Sequence, residues 1–375
     1  MNDQGILSNA DPEGECAKRE LSCAASLLIL IAYAVPCPNV LAQDQLRLSG
    51  FATLRGATQA DGPLDQDDVV GRVQLGLDWT STSAFSFHVH ALARTDERDS
   101  QRGVIGFPEA FLEANLHSER ARLRLRGGAM FLPTSLENVD ALWENPYAIS
   151  SSALNTWMGE EVRPVGIDAS FFRGGLMAGA TLFRGNDTLG ALPPVRGWAL
   201  HDRWTLIGEK VPVDDEVFTS VSAETDGRLG WSARGGWLGE RFTAQYTYLD
   251  NRSDGLRYGD LYNWNTRFHV VGVGYALGEW TFASEGGWGP TYLVVRGRRF
   301  VSDIRACYIL VSRRLPRGRA SVRIDSFNDG ERGDAALTLA YSFVPRSRLG
   351  AGIEFATTGD ETRVMLQLRY GFAVR

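Results

Sequence analysis

Val69-Val70-Gly71-Arg72-Val73-Gln74-Leu75-Gly76-Leu77-Asp78-Trp79-Thr80 is the stretch whose reading decides the fold. Val69, Gly71, Val73, Leu75, Leu77 and Trp79 alternate with Arg72, Gln74, Gly76, Asp78 and Thr80. Successive side chains take opposite faces only in a strand, so this one has a greasy face and a wet face. The pattern recurs. Ala121, Leu123, Leu125, Gly127 and Ala129 interleave with Arg122, Arg124, Arg126, Gly128 and Met130, and Thr362, Val364, Leu366, Leu368, Tyr370 and Phe372 with Arg363, Met365, Gln367 and Arg369. A soluble sheet alternates too. Repetition behind an export signal, with connections that are alternately short and long, is what points to lipid.

Glycine is high, at 41 of 375 residues, and charged residues make up 22 % of the chain. After Val35 no apolar run is long enough for a membrane helix, which excludes a helical membrane protein. A transmembrane barrel hides its membrane affinity in this way, because only every second residue meets lipid. Lys18 and Arg19, the apolar stretch 21–35 and Val40-Leu41-Ala42 read as a signal peptide over residues 1–42, cleaved before Gln43. Residues 1–17 are polar and acidic, so the true start is expected near Lys18. Residues 43–375 form the mature domain and are close to neutral in charge, which predicts neither a nucleic-acid partner nor a preferred ion. Cys16, Cys23 and Cys37 leave with the signal, so Cys307 alone remains and neither a disulfide framework nor a cysteine metal site is available.

Strands are expected at 46–57, 68–81, 85–94, 109–117, 121–130, 166–172 and 176–185. After an unassigned stretch, 186–227, further strands follow at 228–238, 241–250, 268–277, 280–288, 303–313, 319–328, 335–344, 349–357 and 361–374. That is an all-β chain, a transmembrane antiparallel β-barrel of about 16 strands, with 14 to 18 allowed by the unassigned stretch. Closure follows from the solvent: an open sheet edge in hydrocarbon leaves N–H and C=O groups unpaired at several kcal/mol each. Trp79, Phe85, Trp231, Trp237, Phe242, Trp280, Tyr341, Phe343, Tyr370 and Phe372 lie near expected strand ends and cluster beside turns, as two interfacial girdles require.

Residues 131–165 lack alternation over a length that is usually functional. Thr134 and Glu137 are spaced as a capping box opening a helix. Leu142, Trp143, Tyr147, Leu154, Trp157 and Met158 then supply apolar anchors, and the barrel interior is where such a segment can bury them.

With its export signal, alternating connections, long third outer connection and final Tyr370-Gly371-Phe372, the chain resembles the sixteen-stranded bacterial outer-membrane porins. The resemblance is architectural and covers nearly the whole of residues 43–375. It implies a passive diffusion channel for small hydrophilic solutes in the bacterial outer membrane, surrounded by lipid, in a homotrimer. It also implies that segment 131–165 folds inward, with Glu137, Asp140, Glu144, Glu160 and Glu161 as its acidic side and Arg122, Arg124 and Arg126 as the basic wall.

Successive inward positions on a strand lie about 7 Å apart, so Arg122, Arg124 and Arg126 form a vertical row able to guide an anion. The alternative is that they solvate the lumen or tie it to carboxylates. Arg323 with Asp325, Arg305 with Arg313, Arg234, and Arg363 with Arg369 are placed inward by the same register. A slip of one residue would turn every one of them outward. Two other classes stand against the channel. A structural or adhesive barrel with a plugged lumen shares all these signals. A barrel hydrolase could use His88 or His90 with Asp96 or Ser86, although no nucleophile with oxyanion donors is evident; a His88 and His90 metal pair lacks a further ligand. The channel reading needs no cofactor and no chemical step.

Overall fold

The structure, a computed structural model, describes residues 45–60, 68–81, 84–95, 104–138, 141–214, 217–220, 222–346, 348–359 and 361–374. The signal peptide assigned to residues 1–42, Asp96 and Asp140 lie outside them.

Sixteen antiparallel strands form one closed barrel. The first seven are β1 (Gln45–Ala60), β2 (Asp68–Thr80), β3 (Phe85–Arg94), β4 (Ile105–His117), β5 (Arg122–Ala129), β6 (Val165–Arg173) and β7 (Leu176–Arg184). They continue as β8 (Gly230–Leu238), β9 (Phe242–Asp250), β10 (Asn265–Leu277), β11 (Trp280–Val295) and β12 (Arg298–Leu315). The last four are β13 (Gly318–Asn328), β14 (Gly333–Arg346), β15 (Leu349–Thr358) and β16 (Glu361–Val374). β1 pairs with β2 on one side and β16 on the other, Ala52 opposite Tyr370 and Leu54 opposite Leu368, so no edge is left. Neighbouring strands alternate between tight turns at one rim and long connections at the other. At the tight rim Gly174 and Gly278 take φ of 58° and 57°, the left-handed backbone a two-residue hairpin turn needs.

The outer surface is apolar. Ile167 is 68 % exposed, Ile309 62 % and Leu366 58 %, and large hydrophobics project outward from every part of the wall. An apolar belt that size is costly in water, and this inside-out arrangement is that of a barrel spanning a bilayer. Trp79, Phe85, Trp237, Phe242, Trp280 and Phe343 are exposed on the outside near the tight turns, as an interfacial girdle.

The lumen is only partly polar. One buried apolar cluster joins Leu154, Trp157, Met158 and Val162 to wall residues Phe183, Phe268, Val270 and Ile304. Here the expected register fails at two arginines. On β12 Ile304, Ala306, Tyr308 and Leu310 are buried inward, while Arg305 and Arg313 share the outward face with Ile309. The lumen side of β12 packs a helix rather than water, so polarity no longer marks the inner face. Arg313 lies over the Trp280 ring at 5.1 Å, within the aromatic girdle, where a guanidinium can reach the headgroups.

Candidate functional site: the filled lumen

The connection between β5 and β6 lies inside the barrel. Its helix, α1 (Ala153–Glu161), is buried along its whole length. Ser152 caps it, the hydroxyl accepting the Asn155 N–H at 3.2 Å. The expected helix start at Thr134 is not formed, because the Glu137 carboxylate is drawn elsewhere. It accepts the Ser152 N–H at 2.9 Å and the Asn155 amide at 2.9 Å, and receives Arg323 Nη1 of β13 at 2.7 Å. Arg323 also donates to Asp325 at 2.8 Å and to the Ser150 and Ser151 carbonyls at 2.8 and 3.0 Å. Wall carboxylates complete the seat: Glu354 accepts the Ile149 and Ser150 N–H groups, and Glu285 accepts the Leu136 N–H and the Tyr308 hydroxyl.

The remaining acidic residues take separate partners. Glu144 binds Arg369 of β16, one contact being 2.6 Å. Glu160 receives Arg196 and, at 3.1 Å, His201 Nε2. Burial alone would raise the Glu160 pKa, but Arg196 and His201 outweigh it and hold the carboxyl well below its usual range. Glu161 accepts the Trp157 indole N–H and the Gly190, Ala191 and Leu192 amides.

Arg122, Arg124 and Arg126 face the lumen in the expected register but meet none of these acids. Arg126 reaches Asp168 of β6 at 3.3 Å, and Asp168 also binds Arg234 of β8 at 2.5 Å. Arg124 lies 3.4 Å from the Ser170 hydroxyl, and Arg122 sits over the Phe172 ring at 4.3 Å. On β3, His88 Nδ1 is 2.6 Å from Asp78 and His90 Nε2 is 2.7 Å from the Gln74 side chain.

The stretch between β7 and β8, unassigned from sequence, is the second lumen filler. Asp202 clamps two wall arginines: Arg72 donates to its carboxylate and its carbonyl, each at 2.6 Å, and Arg55 to its other carboxylate oxygen. Arg94 of β3 donates to the Trp204 carbonyl at 2.6 Å and to Glu209 at 2.9 Å, and Arg203 binds Glu209 as well. Ile207 N–H pairs with the Phe107 carbonyl of β4 at 3.0 Å. Trp204 meets Phe131 and Trp143 edge-on at 6.2 Å. No alternation marks this segment; the only sequence signal is its load of Trp198, Leu200, Trp204 and Leu206 in a stretch nominally of loop.

Asp187, Glu224 and Asp226 bring carboxylate oxygens within 4.8 Å of one another. Those carboxylates already accept the backbone N–H groups of Gly185, Thr225, Gly227, Arg228 and Asp254. Between residues 144–149 and the wall of β14 to β16 a cavity of about 280 Å³ remains, lined by Glu144, Tyr147, Ser342, Gln367 and Arg369 among others.

A closed sixteen-strand wall, apolar outside, with a long third connection folded within, fits one architecture. This is the sixteen-stranded porin fold. Salmonella typhi OmpF, solved with daunomycin, superposes with a TM-score of 0.59 at 10 % identity, over 88 % of this chain and 98 % of that one. Vibrio cholerae OmpT, in a trimer form, gives 0.57 at 8 % identity over 88 % and 100 %. A variant of the Rh. blastica porin gives 0.50 at 11 % over the same shares. No family model matches the sequence, and no curated protein matches it. The porin likeness is one of fold.

Proposed function

We infer that the chain is a bacterial outer-membrane porin, a passive diffusion channel for small hydrophilic solutes with an anion-leaning path. The observation that carries this reading is that Arg122 and Arg124 face the lumen and make no ion pair among the described residues. Fixed charges in a narrow lumen set which ion passes. The reading includes no cofactor and no chemical step. It places the protein in a homotrimer, supported by the trimer form of the Vibrio cholerae OmpT neighbour and by the apolar outer belt.

One observation favours a second reading, a plugged scaffold: α1 and much of the β7–β8 connection are buried against the wall. Single-channel recording of residues 43–375 in planar bilayers under a salt gradient separates the two. Stable steps with an anion-leaning reversal potential are expected; silence from a demonstrably folded barrel would leave the scaffold.

A further inference from the structure

On the inner wall of β14, β15 and β16 three residues stand in one lateral row: Ser342 is opposite Gly352, and Gly352 is opposite Gln367. Ser342 lies between the outward-facing Tyr341 and Phe343, and Gln367 between the outward-facing Leu366 and Leu368, so both polar side chains project into the lumen. The position between them has no side chain, nor has Gly350, the preceding inward position of β15. Neighbouring strands are about 4.8 Å apart, so Ser342 and Gln367 flank a trough about 10 Å wide. It ends at Glu354, the next inward residue of β15, which is buried and accepts the Ile149 and Ser150 N–H groups. Residues 144–149 roof the trough, and the cavity of about 280 Å³ lies between roof and floor.

The lining has two chemistries and no net charge. The roof is largely apolar: Ile149 Cδ1 is 3.5 Å from where a β-carbon at Gly352 would stand, and beside it is the Tyr147 ring. The flanks are polar and neutral. Neither the Gln367 amide nor the Ser342 hydroxyl makes a hydrogen bond among the described residues, and each can both donate and accept. The charge at the edge of the cavity cancels itself, because the two oxygens of Glu144 take Nε and Nη2 of Arg369, whose guanidinium also lies over the Phe51 ring at 4.7 Å. An ion entering this space finds no opposite charge left to pair with.

We propose that the trough over Gly350 and Gly352 is a saturable binding site for an uncharged ring polyol of monosaccharide size. Such a ring is apolar on its C–H faces and polar around its edge, so it sets one face against Tyr147 and Ile149 and its hydroxyls against Ser342 and Gln367. A carboxylate solute would meet the Glu144 carboxylate instead. At about 280 Å³ the cavity is close to the lower end of small-molecule pockets, about 300 to 1,000 Å³, and has their usual make-up of apolar surface with a few placed polar groups. The glycines admit the ring, since a branched side chain at position 352 would stand in its place. The site adds a solute class to the channel reading above and rests on that reading for its use, though not for binding itself.

Two measurements on the same folded chain test this: calorimetric titration with D-glucose in detergent micelles, and D-glucose influx into liposomes as a function of concentration. The parent chain should bind glucose saturably, influx should level off over the same concentrations, and excess sodium succinate should not compete. Ser342→Ala with Gln367→Leu removes two hydrogen bonds to neutral groups and should weaken glucose about tenfold. Gly352→Val fills the trough and should abolish binding; its β-carbon meets only ordinary contacts, 3.5 Å to Ile149 and 3.9 Å to the Tyr341 carbonyl, so the fold accepts it. A folded parent chain with no saturable heat, variants that bind as the parent does, or succinate that competes with glucose would each overturn the proposal. Linear influx without heat would remove the site and leave the channel standing, whereas heat without influx would uphold the site and count against the channel. Should the double variant not fold, Gly352→Val decides alone.

Discussion

The indole of Trp204 occupies the space over Gly159 of α1: a β-carbon at Gly159 would lie 2.0 Å from Cε3 and 2.1 Å from Cζ3. The two lumen segments are thus docked to each other through a missing side chain, and Thr205 secures the join, its N–H reaching the Gly159 carbonyl at 3.3 Å and its hydroxyl the Glu160 carbonyl at 2.6 Å. Gly159→Val should expel Trp204 at a cost of about 3 kcal/mol to docking. Trypsin should then cut at Arg203, which is buried in the parent chain. Unchanged protection would show that the join can be remade.

Glu137 is the acid to remove for stability. Glu137→Ala leaves Arg323 buried with one carboxylate fewer and uncaps Ser152, and should cost about 3 to 5 kcal/mol in urea unfolding from liposomes. The companion Arg323→Met, added to Glu137→Ala, should recover part of that loss. No recovery would mean that the hydrogen bonds to Ser152 and Asn155 outweigh the ion pair.

Acid should loosen the second segment. His201 Nδ1 accepts the Arg203 N–H at 3.1 Å, leaving Nε2–H for Glu160, so the folded state holds the neutral ring. Burial, with Arg196 and Arg203 nearby, pushes its pKa below the usual value against the pull of Glu160. A histidine lowered in this way favours docking fully above its unfolded pKa of about 6.5 and progressively less as the pH falls below it. Asp202 has the same sign lower down. Burial opposes its ionisation, but Arg55 and Arg72 prevail and depress its pKa, so its contribution is present above about 3.9 and lost below. Proteolysis at Arg203 should accelerate from about pH 6.5 downward, and His201→Gln should abolish the upper part of that rise. A flat profile above pH 5 in the parent chain would remove His201 from the account.

The arginine row should govern ion preference. Arg122→Ala with Arg124→Ala removes the two guanidiniums without an ion pair, and the anion-to-cation permeability ratio should fall several-fold. Arg126→Ala alone should do less, because Asp168 keeps Arg234 at 2.5 Å. Reversal potentials unaltered by the double substitution would mean that selectivity is set elsewhere, around Asp202 or beside Glu144.

What was legible in the chain was the outer face. Lipid demands an apolar residue at every second position, so β3 and β16 have the bounds read from alternation alone, and the strand count is the one expected. The inner face has no single solvent. Where it meets water, as at Arg122 and Arg126, polarity marks it; where it meets α1, as at Phe268, Val270 and Ile304, the strand is apolar on both sides and register cannot be read. That is why Arg305 and Arg313 were expected inward. β11 and β12 also extend past the expected ends, to Val295 and from Arg298, since beyond the membrane the strands need no apolar face and the alternation that defines them lapses. The 186–227 stretch was illegible for a related reason: its anchors follow the shape of a lumen built by other strands, with no period of their own.

Two apolar faces on one strand raise a problem of timing. Before insertion, β10 and β12 would present Phe268, Val270, Ile304 and Ala306 on one side and Val271, Val273 and Ile309 on the other, and lipid can cover only one of them. The cover for the other side is α1, made earlier in the chain and tied to β13 where Asp325 accepts the Ala153 N–H, across 172 residues of sequence. Such distant pairings form slowly, and an exposed apolar strand is at risk of aggregation while they do. The segment that fills the finished lumen is therefore also the cover for the inner apolar face of strands made after it, leaving lipid only the outer face to meet.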